Sequence, residues 1–353
     1  MNWIRGDSLG SGSFATVNKV MNINASNLFP SPAAVKSTDV QTSASLKHEK
    51  EVLDRIGPFP HVIRCYGHDH TVEKGDHFYN VFLEHAGGGS LADKLRSSGG
   101  TLPEIYVRRC TRSVLEALRH IHAKGFVHCD VKLQNILVFD DGGVKVADFG
   151  LAKQRGEKVG KWECRGTPLF MSPETVNDNE YESPADIWAL GCAVVEMVTG
   201  KPAWEVPSGS NIWALLIRIG VGEESPNIPQ QLSEEGRDFL RKCFFKDPNT
   251  RWSAEMLLEH PFVKDHHVSF QKVDGSLPLP LPSPSPRTHF DFPDWASTVT
   301  ASAPSSPDSG DWSHWEYELS SSSPATRLSR LLAGQPPADW SESAGWISVR
   351  TVR

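Results

Sequence analysis

The sequence predicts an α+β fold of bilobal form, with a small β-rich lobe, a larger helical lobe and a long tail. Three observations carry that prediction. Short β-rich segments punctuated by Gly and Pro fill residues 3–84, helical periodicity dominates residues 87–263, and the composition changes near Lys264. Residues 264–353 hold 18 Ser and 11 Pro, including the run Leu277-Pro278-Leu279-Pro280-Leu281-Pro282-Ser283-Pro284-Ser285-Pro286. Such a segment buries too little apolar surface to offset its ordering entropy, so it reads as extended or disordered. Trp295, Trp312, Trp315, Trp340 and Trp346 interrupt it and mark possible short docking segments. The folded unit is therefore expected to span 3–263, with lobes at about 3–84 and 87–263 and a tail at 264–353.

Taken in order, Ser8–Val20, Ala33–Ser37 and Tyr79–Glu84 read as strands, and the polar stretch Ser43–Ile56 between the last two reads as a helix. Pro103–Lys124 carries Ile105, Val107, Val114, Leu115, Leu118 and Ile121 at helical spacing. Ile136–Val138 and Val144–Val146 flank Asp140-Asp141-Gly142-Gly143, the signature of a hairpin. Asp186–Thr199 is apolar nearly all round, which predicts a helix buried on every side.

Bulk properties exclude several function classes. A formal charge of −7 leaves no basic stripe for nucleic acid. The six cysteines (Cys65, Cys110, Cys129, Cys164, Cys192, Cys243) are widely spaced and form no C-x-x-C pair, which suits reduced thiols. There is no signal-peptide-like start and no run of 18 apolar residues, so no membrane span is expected. The expected location is the cytoplasm, the nucleus or both.

The chemistry is concentrated in a few motifs. Leu9-Gly10-Ser11-Gly12-Ser13-Phe14-Ala15-Thr16-Val17 is a glycine-rich turn between strands, where Gly10 and Gly12 let backbone N–H groups approach phosphate oxygens. The third small position is Ala15 rather than Gly. Lys36 lies on the next strand, and a lysine there can neutralise phosphate charge if an acid holds it. Glu49 is the candidate acid, because Leu46, Leu53 and Ile56 define the inner face of its helix; Glu51 is the runner-up. Val127-His128-Cys129-Asp130-Val131-Lys132-Leu133-Gln134-Asn135 places an acid, a lysine and an amide in one short loop, and Asp148-Phe149-Gly150 follows. Asp130 can accept or orient a hydroxyl proton, and Lys132 can stabilise a phosphoryl group in transfer. Asn135 and Asp148 offer oxygen ligands to Mg²⁺.

These motifs, in this order and spacing, resemble protein kinases. Further matches are Gly166-Thr167-Pro168-Leu169-Phe170-Met171-Ser172-Pro173-Glu174, similar to the end of an activation loop, the brace acid Asp186, and Arg251 as partner of Glu174. Lys132 resembles the Ser/Thr group. His128-Cys129-Asp130 with the Gly166–Glu174 segment looks like the plant MEKK-type mitogen-activated protein kinase kinase kinases, particularly short members with a C-terminal tail. The resemblance implies ATP with Mg²⁺ and a MAP kinase kinase as substrate. It implies an adenine site formed by Leu9, Val17, Ala34, Leu83 and Leu137, with backbone groups of Glu84 and Ala86 at the base edge. It also places the histidines His61, His68, His70 and His77 in a surface loop rather than a metal site. Alternatives are another Ser/Thr kinase group, receptor-like cytoplasmic or Ste20-related, and a pseudokinase scaffold.

Regulation is expected to depart from the common pattern. Cys129 stands where most kinases carry Arg, and Leu151–Gly166 contains no Ser, Thr or Tyr. Both the usual phosphate receptor and its acceptor are therefore missing, and Thr167 is expected to bond Asp130 and Lys132. The competing expectation is that Lys153, Arg155, Lys158 or Lys161 builds a substitute pocket for phosphate on Thr167 or Ser172. In the tail, Ser283-Pro284, Ser285-Pro286, Ser306-Pro307 and Ser323-Pro324 are candidate acceptors for feedback by a MAP kinase, and Arg327–Leu332 reads as a short amphipathic stretch.

Overall fold

A computed structural model describes residues 3–12, 15–23, 29–160, 164–206 and 211–264. The expectations on Ser13, Phe14, Lys161 and the tail from 265 onward fall outside those residues.

The first part is one antiparallel sheet. Its strands are β1 (Trp3–Ser11), β2 (Thr16–Asn22), β3 (Ala33–Asp39), β4 (Cys65–Glu73) and β5 (Asp76–Glu84), in the order β1-β2-β3-β5-β4. The strand period of two sorts β3: Ala33 and Val35 join Trp3, Val20, Phe29 and Phe82 in one small core, whereas Ala34 belongs to the main one. Lys36, in phase with Ala34, pairs in register with Val17 and Val81. Helix α1 (Ala44–Ile56) packs on this sheet through Leu46, Val52, Leu53 and Ile56, with Glu49 on the same buried face.

Strand β4 corrects the sequence reading, which placed His61–His77 in a surface loop. Its inward side chains are polar, so it lacks the apolar alternation that marks a strand. They are satisfied by polar partners on strands β1 and β5: Asp69 accepts from Trp3 Nε1 at 2.9 Å, Thr71 from Asn80 Nδ2 at 2.9 Å, and Glu73 pairs with Arg5 at 2.8 Å. His68 and His70 stand on the other face against the Tyr79 ring, with centroids 5.4 and 5.1 Å away.

The second part is helical. Helix α2 (Leu91–Ser97) starts with a capping box between Ser90 and Asp93. Helix α3 (Glu104–Ala123) buries Val107, Val114, Leu115, Leu118 and Ile121 as expected, but Ile105 is 47% exposed. Its position, one residue into the helix, places it on the outer side of the first turn. The short strands β6 (Phe126–Val127), β7 (Ile136–Val138), β8 (Val144–Val146) and β9 (Lys153–Gln154) form two antiparallel pairs, the hairpin β7 with β8 and the longer-range β6 with β9. Helices α4 (Pro173–Asp178), α5 (Ser183–Thr199), α6 (Ile212–Gly220), α7 (Glu234–Cys243) and α8 (Ala254–Leu258) complete the described chain. α5 is buried along nearly its whole length and packs against α3 and α7, which makes it the rigid centre on which the site is hung. Among the described residues no helix is long and apolar enough to cross a membrane.

Candidate active site

Asp186, in the first turn of α5 and 1% exposed, organises the loop after β6. Its carboxylate accepts the backbone N–H groups of His128 and Cys129, both at 2.9 Å, and His122 Nε2 at 2.8 Å. Burial alone would raise its pKa, but the hydrogen bond and charge of His122 outweigh burial and hold it below the ordinary carboxylate range. These bonds secure Cys129 at φ +66°, a left-handed conformation that costs about 1–3 kcal/mol for a residue with a Cβ. His128 is fully buried; its Nδ1 accepts the Asp130 N–H at 3.2 Å, so Nε2 carries the proton donated to the Ala147 carbonyl at 3.0 Å.

Asp130 then sits at the centre of a closed polar ring. One oxygen accepts from Thr167 Oγ1 at 2.8 Å; the other accepts from Lys132 Nζ and from Asn135 Nδ2, each at 2.9 Å. Lys132 Nζ also donates to Thr167 Oγ1 at 2.8 Å. Burial works to raise the Asp130 pKa, yet the Lys132 charge and the bonds from Lys132 and Thr167 bring it below its ordinary value. The carboxylate is therefore ionised and oriented at neutral pH. Gly166 makes the ring possible: its φ is +92°, and a Cβ there would overlap the Cys129 carbonyl oxygen.

The sheet supplies the opposite wall. Lys36 Nζ lies between Glu49, at 2.6 Å, and Asp148, at 3.1 Å. The other Glu49 oxygen accepts the Phe149 N–H at 3.3 Å, and Phe149 packs fully buried against His128. Glu49 rather than Glu51 is thus the partner of Lys36. Ser45 and His48 of α1 bond the carbonyls of Gly150 and Ala152 at 3.4 and 2.6 Å, so α1 is fastened to the segment that carries Asp148.

Along the cleft, Val17 and Leu137 pack half-buried against a core that includes Ala34 and Leu83, while Leu9 is 39% exposed. Gly10 pairs with Val17 and Ser11 with Thr16, and the Gly12 N–H closes the turn on the Ala15 carbonyl at 3.0 Å. The Glu84 N–H is held by the Arg64 carbonyl at 2.9 Å, its carboxylate by Lys145 at 2.6 Å, and the Ala86 carbonyl accepts from Gly89 at 3.3 Å.

The residues fit a hard cation. Asn135 Nδ2 is spent on Asp130, leaving its Oδ1 buried without a donor, and Asp148 is held at φ +64° beside Lys36. A buried oxygen with no donor and an oriented carboxylate are the donor set such an ion takes.

Among the described residues of the activation segment, Lys153, Arg165 and Ser172 are each held by partners within the chain. Lys153, 1% exposed, pairs with Glu182 at 2.9 Å; the Arg165 N–H donates to the Tyr181 hydroxyl at 2.8 Å, and Arg165 Nη1 reaches the carbonyls of Leu151 and Ala152. Ser172 is 1% exposed and shares a hydrogen bond with Thr175. Of the lysines weighed as a substitute phosphate pocket, Lys153 is therefore committed to Glu182. His122, Tyr181 and Glu182 were missed in the sequence, because their partners lie too far along the chain for any local spacing to reveal them.

With this geometry in place, the comparisons with known proteins are direct. The family model "Protein kinase domain" matches residues 3–263. The chain belongs to the protein kinase family, and it is a Ser/Thr kinase of the MAP kinase kinase kinase type. It is 52% identical to mitogen-activated protein kinase kinase kinase 20 of Arabidopsis thaliana, over 99% of this chain and 100% of that protein. Kinase kinase kinases 17 and 18 of the same plant are 40% and 38% identical over 74% of this chain, covering 70% and 78% of their own lengths. Family membership implies the use of ATP and a divalent metal ion.

Proposed function

We propose that this chain transfers the γ-phosphoryl group of ATP to Ser or Thr hydroxyls of a MAP kinase kinase, with Mg²⁺ as the metal ion. The observation that carries this reading is the pairing of the ring around Asp130 with Lys36 held between Glu49 and Asp148. A scaffold without activity has no need of both walls. Bound Mg²⁺ would neutralise phosphate charge in the site, with Asn135 and Asp148 as its protein ligands. Lys36 positions the phosphates, and Glu49 holds Lys36 in place. Asp130 orients the acceptor hydroxyl and takes its proton, while Lys132 and the Gly10–Gly12 backbone stabilise charge on the transferring group. Leu9, Val17, Ala34, Leu83 and Leu137 enclose the base, and backbone groups of Glu84 and Ala86 face its edge.

The same reading takes 3–263 as the catalytic unit, places the protein in the cytoplasm and/or nucleus, and makes the Ser-Pro sites of the tail targets of MAP kinase feedback. The substrate assignment is supported by the names of the relatives. It is tested by incubating the purified full chain with ATP, Mg²⁺ and a panel of inactive MAP kinase kinases. Phosphate on Ser or Thr of one of them is expected; labelling of generic peptides but none of the panel would assign the enzyme to another kinase group.

A further inference from the structure

The helical lobe carries an open groove of about 830 Å³ that shares no residue with the active site. Its floor is Leu102, Val198 and Leu232, each at most 8% exposed, and Tyr106 and Pro103 form one side. Lys94 and Glu104 stand on its rim with opposite charges, so the groove favours neither an anion nor a cation. Concave apolar surface with aromatic and proline walls is what extended, proline-rich peptides use.

The described chain ends beside this groove. The Phe262 and Val263 carbonyls accept from Arg108 at 3.4 Å and Arg112 at 3.0 Å, and Arg108 also holds Glu104 of the rim at 2.9 Å. The Phe262 ring and the Leu232 side chain both lie 3.0 Å from the Cβ position of Gly236. One glycine thus separates the floor of the groove from the last turn before the tail.

The first strongly apolar stretch after that exit is Leu277–Pro282, in which Leu and Pro alternate and no charge occurs. Residues 265–276 can span about 40 Å when extended, which is ample for a groove next to the exit. A link of that length also sustains a local concentration on the order of millimolar, so a weak contact is well populated. Alternating prolines favour the polyproline II conformation and reduce the entropy lost on docking. We propose that Leu277–Pro282 docks in cis in the groove formed by Leu102, Tyr106, Val198 and Leu232.

The test compares amide hydrogen exchange in the full chain and in a variant carrying Leu277→Ser, Leu279→Ser and Leu281→Ser. These changes lie outside residues 3–263, the span of the kinase domain match. Exchange across residues 98–106 is expected to rise about threefold or more in the variant and to be independent of protein concentration in the wild type. Equal exchange in the two proteins overturns the proposal. Protection that grows when the concentration is raised tenfold overturns it as well, because a second copy would then fill the groove.

Discussion

Asp130, Lys36 and Glu196 show how single side chains in this enzyme are set by their surroundings. Asp130 is ionised and aimed by three donors, so Asp130→Asn keeps the shape and loses the base; turnover should fall by about 10²–10⁴-fold in a variant that still folds. Lys36→Met should cost a similar order, and near-normal turnover of either purified variant would contradict the assignment. Glu196, near the end of α5, is a different case. Burial raises its pKa to about 7 against the pull of Lys132, and one of its oxygens has no hydrogen-bond partner. A carboxyl raised in the folded state contributes its full stability below its unfolded pKa and loses it as pH rises through the folded value. The window is therefore from about 4.5 to about 7. Glu196→Gln should match the wild type at pH 4 and be more stable at pH 8, by about 3 kcal/mol, in thermal or urea melts. Equal pH dependence of the two proteins would show that Glu196 does not titrate in that range.

At the scale of elements, the activation segment is held by pairs built into the chain. Lys153 is almost wholly buried, and Glu182 is its counter-charge. Glu182→Ala leaves that ammonium unpaired and should destabilise the protein by about 3–5 kcal/mol, with exchange rising first in residues 153–160. The same logic applies to Arg251, which grips Glu174 through two bonds of 2.6 and 3.0 Å. That pair was legible in the sequence because both residues stand in motifs, whereas Lys153–Glu182 was not. Three of the helices were also legible: α1 and α3 follow from apolar spacing, and α5 from its apolar length. Strand β4 was not, because its inward side chains pair with Arg5, Trp3 and Asn80 instead of burying hydrocarbon. The catalytic residues were visible as types at fixed spacing. Their mutual orientation was legible only in part: Asp186 stood out as the brace acid, but the role of His122 did not, because its partner Asp186 lies 64 residues away.

For the molecule as a whole, the sheet and the helical bundle are joined at the site itself, through Lys36–Asp148, Glu49–Phe149 and the bonds of α1 to the segment after Asp148. In the proposed reading the tail is a target of MAP kinase feedback. Treatment of the full chain with an active MAP kinase should place phosphate on Ser283, Ser285, Ser306 or Ser323, each adding about −1.5 to −2 charges, as read by mass spectrometry; an unmodified tail would remove feedback from the account. We expect the catalytic frame to be competent without phosphate on the activation segment. Cys129 supplies no charge to receive one, Thr167 is occupied between Asp130 and Lys132, and Ser172 is buried. The most direct measurement is the turnover of bacterially expressed protein before and after phosphatase treatment. The account predicts that activity stays within about twofold. Loss of activity on dephosphorylation, with the phosphate mapped to Thr167 or Ser172, would contradict it.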